Sequence, residues 1–210
     1  MLMFSKSTMV NKTKQLAYWQ GTFGNEYIKR NSDLSRFRKR AAFFKSVFRD
    51  FPDIKSILEV GCNIGGNLDV LHKINPDFKL MGLEPNKIAV ATARKLVPSA
   101  RIFEKSIFDS TWKNAFDLVF TIGVLIHIGD ANLAQALRRI HTASRKYILT
   151  IEYFAQEKTV IPYRGLTDAL FKRPFDKEWL ALYPRLTLLK HGFLDASAGF
   201  DDCHWWLLKK

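Results

Sequence analysis

The chain has 210 residues, of which 47% are hydrophobic, enough to fill the core of one sizeable domain. Its formal net charge at pH 7 is +13, and residues 1–50 hold 11 Lys or Arg against 3 Asp or Glu. This charge favours an anionic partner, although a solubilising surface explains it equally well. Two cysteines are too few for a disulfide framework, and the longest apolar run, residues 118–128, is too short to span a membrane. We therefore exclude a disulfide-rich module and a membrane-spanning protein, and expect a cytoplasmic one.

The first half of the chain predicts an arm, a helix and then a sheet. Residues 1–33 are polar with scattered aromatic side chains, which predicts a flexible start followed by an ordered lid. Residues 34–51 have apolar side chains at three- and four-residue steps, which predicts an amphipathic helix. Strand patterns then follow at 56–60, 79–83, 101–103, 116–122 and 147–151, alternating with helix patterns at 67–74, 86–96 and 132–143. Such alternation predicts a parallel sheet, and apolar strands indicate helices on both of its faces.

After residue 152 the chain becomes rich in proline, glycine and aromatic residues, and a short helix is predicted at 176–182. Two final strands, at 186–189 and 205–208, are expected to pair antiparallel at the sheet edge. The predicted fold class is α/β, a Rossmann-like, seven-stranded, mostly parallel sheet with an antiparallel C-terminal edge strand. Residues 34–210 are predicted to form one domain, with residues 1–33 as its N-terminal arm.

A glycine-rich turn joins the first strand to the next helix, where an open α/β sheet binds its ligand. Gly61 and Gly65 allow the backbone to approach a ligand closely, and Glu59 can orient an ammonium group. Asn63 stands where a dinucleotide-binding loop needs glycine. These features favour S-adenosylmethionine over NAD, although glycines after a strand also occur for packing alone.

The ends of the next strands supply further candidates. Glu84, followed by Pro85, is predicted to hold ribose hydroxyls, the alternative being a strand-end acid or helix cap. Ile107 is expected to pack on an adenine ring and Asp109 to accept from its amino group, unless Asp109 is a simple turn acid. The order of these pieces predicts S-adenosylmethionine as cofactor, with S-adenosylhomocysteine as product.

The segment from Thr121 through Gly123 to His127 resembles the segment that borders the methyl group in small-molecule methyltransferases. We predict His127 as the general base that removes a proton from the acceptor, although a histidine in an apolar run is often a core residue. Glu152, which ends the fifth strand, is a rival base or a structural acid.

From residue 19 to near the C-terminus, the chain resembles the pseudaminic acid biosynthesis-associated methylases, a family of class I S-adenosylmethionine-dependent methyltransferases. The matching segments are WQGTFGNEY at 19–27, RN at 30–31, GCNIG at 61–65, GVLIHI at 123–128, YRG at 163–165, LFKR at 170–173, DD at 201–202 and WLL at 206–208. The resemblance implies a cytoplasmic methyltransferase associated with nonulosonic acid sugars of bacterial surface glycans.

The acceptor is expected to be a small acidic or nucleotide-activated sugar. Tyr163 and Arg164 are predicted substrate contacts, because a guanidinium binds a carboxylate or phosphate in bidentate fashion; a solvated loop is the alternative for Arg164. The predicted lid supplies further candidates, unless its aromatic residues simply pack on the sheet: Trp19, Phe23, Asn25, Tyr27, Arg30 and Asn31.

No metal site is expected, because the adjacent residues 201–204 of the Asp-Asp-Cys-His run point to opposite faces of a strand. Two alternative functions remain open. One is an RNA or protein methyltransferase, which the net charge suits, and the other is a non-catalytic regulatory protein that binds S-adenosylmethionine.

Overall fold

The computed structural model describes residues 13–210, so the flexible start predicted before residue 13 lies outside the described residues. The helices are α1 (Lys14–Gln20), α2 (Thr22–Arg30), α3 (Ser35–Lys39), α4 (Ala41–Asp50), α5 (Gly66–Ile74), α6 (Lys87–Leu96), α7 (Asp130–Ala143) and α8 (Phe175–Leu182). The strands are β1 (Ser56–Val60), β2 (Lys79–Glu84), β3 (Arg101–Glu104), β4 (Phe116–Ile122), β5 (Ser144–Glu152), β6 (Thr159–Val160), β7 (Phe171–Lys172), β8 (Thr187–Leu194) and β9 (Cys203–Lys209).

Seven strands form one sheet in the order β3-β2-β1-β4-β5-β9-β8. The first five are parallel, whereas β9 is antiparallel to both of its neighbours. The predicted Rossmann-like sheet and its antiparallel C-terminal pair are therefore confirmed. The antiparallel strand β9 lies one place in from the edge, which β8 forms. On one side of β1 the sheet continues through β2 and β3, and on the other side through β4 and β5. The strand order therefore reverses beside β1, and ligands bind at such a point.

Two apolar layers cover the faces of this sheet. On one face, Phe44 of α4, Leu68 of α5 and Ala93 of α6 are fully buried. On the other face, Ala136 of α7 and Trp179 of α8 are fully buried. The strands between these layers are buried on both sides, which explains their near-continuous apolar sequences.

The helix predicted over residues 34–51 is broken into α3 and α4 at Arg40. The Arg40 N–H donates to the Phe37 carbonyl at 3.0 Å, one residue short of the α-helical partner. The Arg40 side chain is 6% exposed and donates through Nε to the Gly199 carbonyl at 2.8 Å. Apolar periodicity carries no sign of this break, since the residue responsible is a buried arginine.

The sequence patterns did not predict two further features of the fold, the helices of the lid and an insertion after β5. The predicted lid contains two helices, α1 and α2, which we call the cap (Lys14–Arg30). Between β5 and α8, residues 153–174 form an insertion that contains the small β6–β7 sheet. Arg173 Nη2 lies 2.6 Å from Asp130 Oδ1 of α7, and Lys158 also donates to Asp130, so both ends of the insertion are fastened to one carboxylate.

None of the helices described within residues 13–210 is long and apolar enough to cross a membrane.

Candidate active site

A cavity of about 430 Å³ lies at the carboxyl ends of the central parallel strands. The turn after β1, the end of β2 and the loop after β4 form its base, while the cap and the insertion form its walls. Seven of the predicted cofactor residues line it: Glu59, Gly61, Asn63, Glu84, Pro85, Ile107 and, on the β4 side, Gly123. The structure thus brings together most of the cofactor site predicted from separate strands.

The turn after β1 is held in a left-handed conformation. Gly61 has φ +72° and Asn63 has φ +46°. A Cβ atom on Gly61 would lie 2.5 Å from Cγ2 of Val124, so glycine is required there both by φ and by space. Gly65, at φ +83°, does not line the cavity; its hypothetical Cβ would meet Ala93 of α6 at 3.1 Å, so this glycine serves helix packing.

Glu59 is a buried carboxylate with one unused oxygen. Its Oε1 accepts from Asn67 Nδ2 at 2.6 Å, whereas Oε2 is buried with no hydrogen-bond partner among the described residues. Burial raises the pKa of the Glu59 carboxyl to about 8. A positive charge beside Oε2 would lower this pKa and favour the ionised carboxylate, and a ligand ammonium group would supply both that charge and a hydrogen-bond donor.

Glu84, at the end of β2, is fixed by two backbone amides. Its Oε2 accepts from the Asn63 N–H at 2.9 Å and its Oε1 from the Asn86 N–H at 2.8 Å. Burial raises the pKa of this carboxyl to about 7. A carboxylate has about four lone-pair sites, so one further acceptor site remains on each oxygen, which suits a vicinal diol.

Besides Gly65, two predicted cofactor contacts are not brought to the cavity. Asp109 caps a short turn, where its Oδ2 accepts from the N–H and the hydroxyl of Ser106, both at 3.0 Å. The proposed alternative of a turn acid therefore matches its position, and the adenine contact does not. Thr121 is 1% exposed and lies within β4, outside the cavity lining.

The loop after β4 leaves space for a ligand at Gly123, and the Glu152 carboxylate holds its backbone. Gly123 has φ +63°, and a Cβ there would meet only Ile126 Cδ1, at 4.0 Å, so its position leaves room for a ligand. Glu152 accepts through Oε1 from the Val124 and Leu125 N–H groups, both at 3.1 Å, and through Oε2 from Ile126 at 3.3 Å. This geometry favours a positioning role for Glu152, and its role as a base stays a prediction.

His127 lines the cavity with a defined tautomer. Its Nδ1 lies 2.5 Å from the Ala169 carbonyl oxygen, which can only accept, so Nδ1 carries the proton and Nε2 keeps its lone pair. Burial lowers the pKa of His127 to about 4, so the ring is neutral at pH 7. A neutral imidazole with a free Nε2 is able to accept a proton.

The cap contributes some of the predicted substrate residues and not others. Trp19, Tyr27 and Asn31 line the cavity, and the Trp19 ring centroid is 4.6 Å from that of His127. Phe23 lies behind them, with its centroid 5.3 Å from that of Trp19, and Asn25 Oδ1 accepts from Asn86 Nδ2 at 2.9 Å. These residues support the wall rather than line it.

Arg30, at the end of α2, is exposed and outside the cavity lining. Tyr163 and Arg164 of the insertion do line the cavity, as predicted, and Arg164 has φ +51°. The Tyr163 ring centroid is 5.8 Å from Phe23 and 5.6 Å from His127, so insertion, cap and candidate base form one aromatic cluster.

Sequence reasoning missed two arginines that line the cavity. Arg40 donates through Nη1 to Asn67 Oδ1 at 2.8 Å, and its guanidinium lies 4.5 Å from the Phe200 ring centroid; burial lowers its pKa to about 10. Arg36 Nη2 donates to Asp201 Oδ1 at 3.0 Å. The periodicity of residues 34–51 placed both arginines away from the apolar side chains, elsewhere around the helix axis. The only indication in the sequence that Arg36 and Arg40 face a site is the Asp-Asp pair at 201–202, which belongs to the segments of the family resemblance.

The base of the cavity lies in a segment of the chain that matches a known family. Residues 58–146 match the family model described as a methyltransferase domain. The matched segment is similar to methyltransferase domains. It spans the strand ends that carry Glu59, Glu84 and Gly123. The predicted enzyme class and its cofactor class, S-adenosylmethionine, are confirmed at this level.

Solved methyltransferase structures share the fold around this domain. The 1,6-didemethyltoxoflavin-N1-methyltransferase of Burkholderia thailandensis, solved with S-adenosylhomocysteine, is 14% identical, with a TM-score of 0.71 over 92% of this chain and 88% of that chain. The magnesium protoporphyrin IX methyltransferase of Synechocystis PCC 6803, solved with S-adenosylmethionine, is 11% identical, with a TM-score of 0.72 over 98% of this chain and 100% of that chain.

A third structure, the plantazolicin methyltransferase BpumL with S-adenosylhomocysteine, is 17% identical, with a TM-score of 0.68 over 93% of this chain and 94% of that chain. At these identities the similarity establishes the fold alone. No curated protein matches the chain. The resemblance to pseudaminic acid methylases is thus supported as far as the methyltransferase fold and domain, and these comparisons do not support the sugar association.

The buried carboxyls predict an unusual pH dependence of stability without ligand. The pKa values of Glu59, Glu84 and Glu152 are raised from 4.5 to about 7–8, so the folded state binds more protons than the unfolded state between these values. His127 and His141, with pKa values lowered to about 4, act in the opposite direction only below about 6.5. The free energy of unfolding should therefore fall as pH rises from about 6.5 to 8, by at most about 1.4 kcal/mol per pH unit and carboxyl.

Urea denaturation at several pH values measures this slope. Glu59→Gln, which keeps the acceptor for Asn67, should flatten it, whereas Glu157→Gln on the exposed insertion should leave it unchanged. A wild-type stability that rises across this pH range would contradict the prediction.

Proposed function

We propose that the protein transfers the methyl group of S-adenosylmethionine to a small anionic acceptor, and that this acceptor is an acidic or nucleotide-activated sugar of nonulosonic acid assembly. The observation that carries the transferase proposal is the shared cavity: the neutral His127, with Nε2 unprotonated, lines the same space as Glu59, Glu84 and the open position at Gly123. Candidate cofactor-binding groups and a candidate proton acceptor thus line one cavity.

The residues present fit S-adenosylmethionine. The unpartnered Oε2 of Glu59 suits the ammonium of its methionine end, and the space above Gly123 suits a group that must approach the backbone closely. Glu84 would hold the ribose hydroxyls, with Pro85 and Ile107 beside the adenine. The bound cofactor supplies an electrophilic sulfonium methyl.

The remaining work is done by positioning and proton transfer. Methyl transfer is an in-line displacement, so the nucleophile has to be held about 3 Å from the methyl carbon on the side opposite sulfur. His127 Nε2 would accept the proton of an acceptor hydroxyl or ammonium group as the new bond to carbon forms. The Ala169 carbonyl, by accepting from Nδ1, stabilises the imidazolium that results.

The acceptor class is argued from charge and from the wall of the cavity. Arg36, Lys105 and Arg164 line the cavity, and each can bind a carboxylate or phosphate. Trp19 and Tyr163 offer apolar ring surfaces beside His127, which exclude water from the reacting atoms. The assignment of a sugar as the acceptor also depends on the family resemblance at residues 19–31 and 163–165, two segments that contribute to these same walls.

Labelled-methyl transfer measures the acceptor class directly. With the purified protein and methyl-labelled cofactor, we expect label in nucleotide-activated acidic sugars and none in bulk RNA or protein. RNA is the competing acceptor that the net charge of +13 favours. Label in RNA alone would contradict the proposal. Cofactor binding without transfer to any acceptor would favour a regulatory protein.

Glu84→Ala tests the ribose contact. Loss of buried hydroxyl contacts should weaken S-adenosylhomocysteine binding by about 1–3 kcal/mol, measured by titration calorimetry. The exposed Glu157→Ala is the matched control and should bind as the wild type does. An unchanged affinity of the Glu84 variant would remove that residue from the site.

His127→Asn tests the proton acceptor. The asparagine amide is able to keep a donor near the Ala169 carbonyl but lacks the Nε2 acceptor, so kcat should fall by about 10²–10⁴-fold with cofactor affinity unchanged. His141→Asn is the matched control, because His141 stacks on Tyr183 outside the cavity. Equal kcat for the His127 variant and the wild type would exclude His127 as the base.

A further inference from the structure

Two consecutive carbonyl groups of the insertion receive hydrogen bonds from opposite sides of the active site. The Ala169 carbonyl accepts from His127 Nδ1 at 2.5 Å. The preceding carbonyl, that of Asp168, accepts from Gln15 Nε2 of α1 at 3.0 Å. The candidate base and the first helix of the cap are therefore joined through a single dipeptide.

Few hydrogen bonds hold the backbone of this dipeptide, although Ala169 is buried and the Asp168 side chain also accepts from the Tyr18 hydroxyl at 3.5 Å. Within the described residues, the bonds to the two carbonyls are the only hydrogen bonds made to the backbone of residues 167–169. The flanking backbone bonds are those of Tyr163 with Leu166, and of Ile161 with the Leu170 carbonyl at 2.9 Å. An irregular segment held by so few bonds takes its orientation from the side chains that donate to it.

Gly129, the N-cap of α7, lies beside the Gln15 side chain: a Cβ on Gly129 would be in ordinary van der Waals contact with Gln15 Nε2, at 3.6 Å. Gln15 lines the cavity, whereas its neighbour Lys14 contacts Asp168 only through an exposed side-chain ion pair at 3.0 Å. The two neighbours on α1 thus touch the same residue in different ways, one at the backbone and one at the side chain.

We propose that Gln15 is a positioning residue for His127: by holding the Asp168–Ala169 backbone from the cap, it presents the carbonyl that keeps the proton on Nδ1 and the lone pair on Nε2. The catalytic tautomer is then assembled only when α1 lies against the insertion. Packing of the cap over the cavity and formation of the His127 tautomer that can accept a proton therefore occur together. This inference rests on the proposed role of His127 for its effect on rate, but its effect on the tautomer stands independently.

The test compares Gln15→Met, which keeps length without a donor, with Lys14→Met as the matched control. In each protein, saturated with S-adenosylhomocysteine, ¹⁵N NMR of the imidazole reports which nitrogen of His127 carries the proton. We expect a single Nδ1–H tautomer in the wild type and in Lys14→Met, and a mixture with Nε2–H in Gln15→Met. Gln15→Glu, which also lacks a donor at neutral pH, should behave like Gln15→Met.

Single-turnover methyl transfer supplies the second measurement. Gln15→Met should slow the chemical step by about 10- to 100-fold with unchanged cofactor affinity, because a small misplacement of a catalytic group is costly. Lys14→Met should keep the wild-type rate, since an exposed ion pair contributes little. A wild-type tautomer and rate in Gln15→Met would overturn the inference. A changed tautomer with an unchanged rate would support the positioning role and contradict His127 as the base, so the two proposals can fail separately.

Discussion

The site depends on buried carboxylates that bind the backbone of the neighbouring loops. Glu84 accepts from the amides of Asn63 and Asn86, and thereby fixes the turn after β1 and the start of α6. Glu152 accepts from three successive amides after β4. Hydrogen bonds from backbone amides to a buried carboxylate satisfy loops that have no regular partners of their own. The same groups that face the cavity therefore also hold its shape.

This arrangement explains which parts of the molecule the sequence predicted well. Strands buried on both faces read as apolar runs, and β1 and β4 were placed at their observed bounds because helices cover both sides. Glu59, Gly61, Asn63 and Glu84 were found because parallel strands deliver their carboxyl ends to one edge. The sheet topology thus brings residues that are far apart along the chain together at one edge.

Other residues lie elsewhere than the sequence indicated, because local patterns do not specify where their side chains point. Asp109 was assigned by its distance along the chain from a strand end and Thr121 by the resemblance of its segment, and neither criterion says where a side chain points. The helical period placed Arg36 and Arg40 away from the apolar side chains, whereas Arg40 is buried between Phe37 and Phe200 and donates to Asn67. The His127 tautomer depends on a carbonyl 42 residues away in an irregular insertion, and no local pattern encodes such a contact.

The central claim is that the turn at residues 61–65 and the acid at position 84 hold opposite ends of one S-adenosylmethionine molecule. A crystal structure with S-adenosylhomocysteine tests it most directly. We expect the ribose hydroxyls on Glu84, the amino group beside Oε2 of Glu59, and the sulfur on the side of the cavity that His127 lines. A ligand bound outside this cavity, or no ligand there at saturating concentration, would contradict the claim.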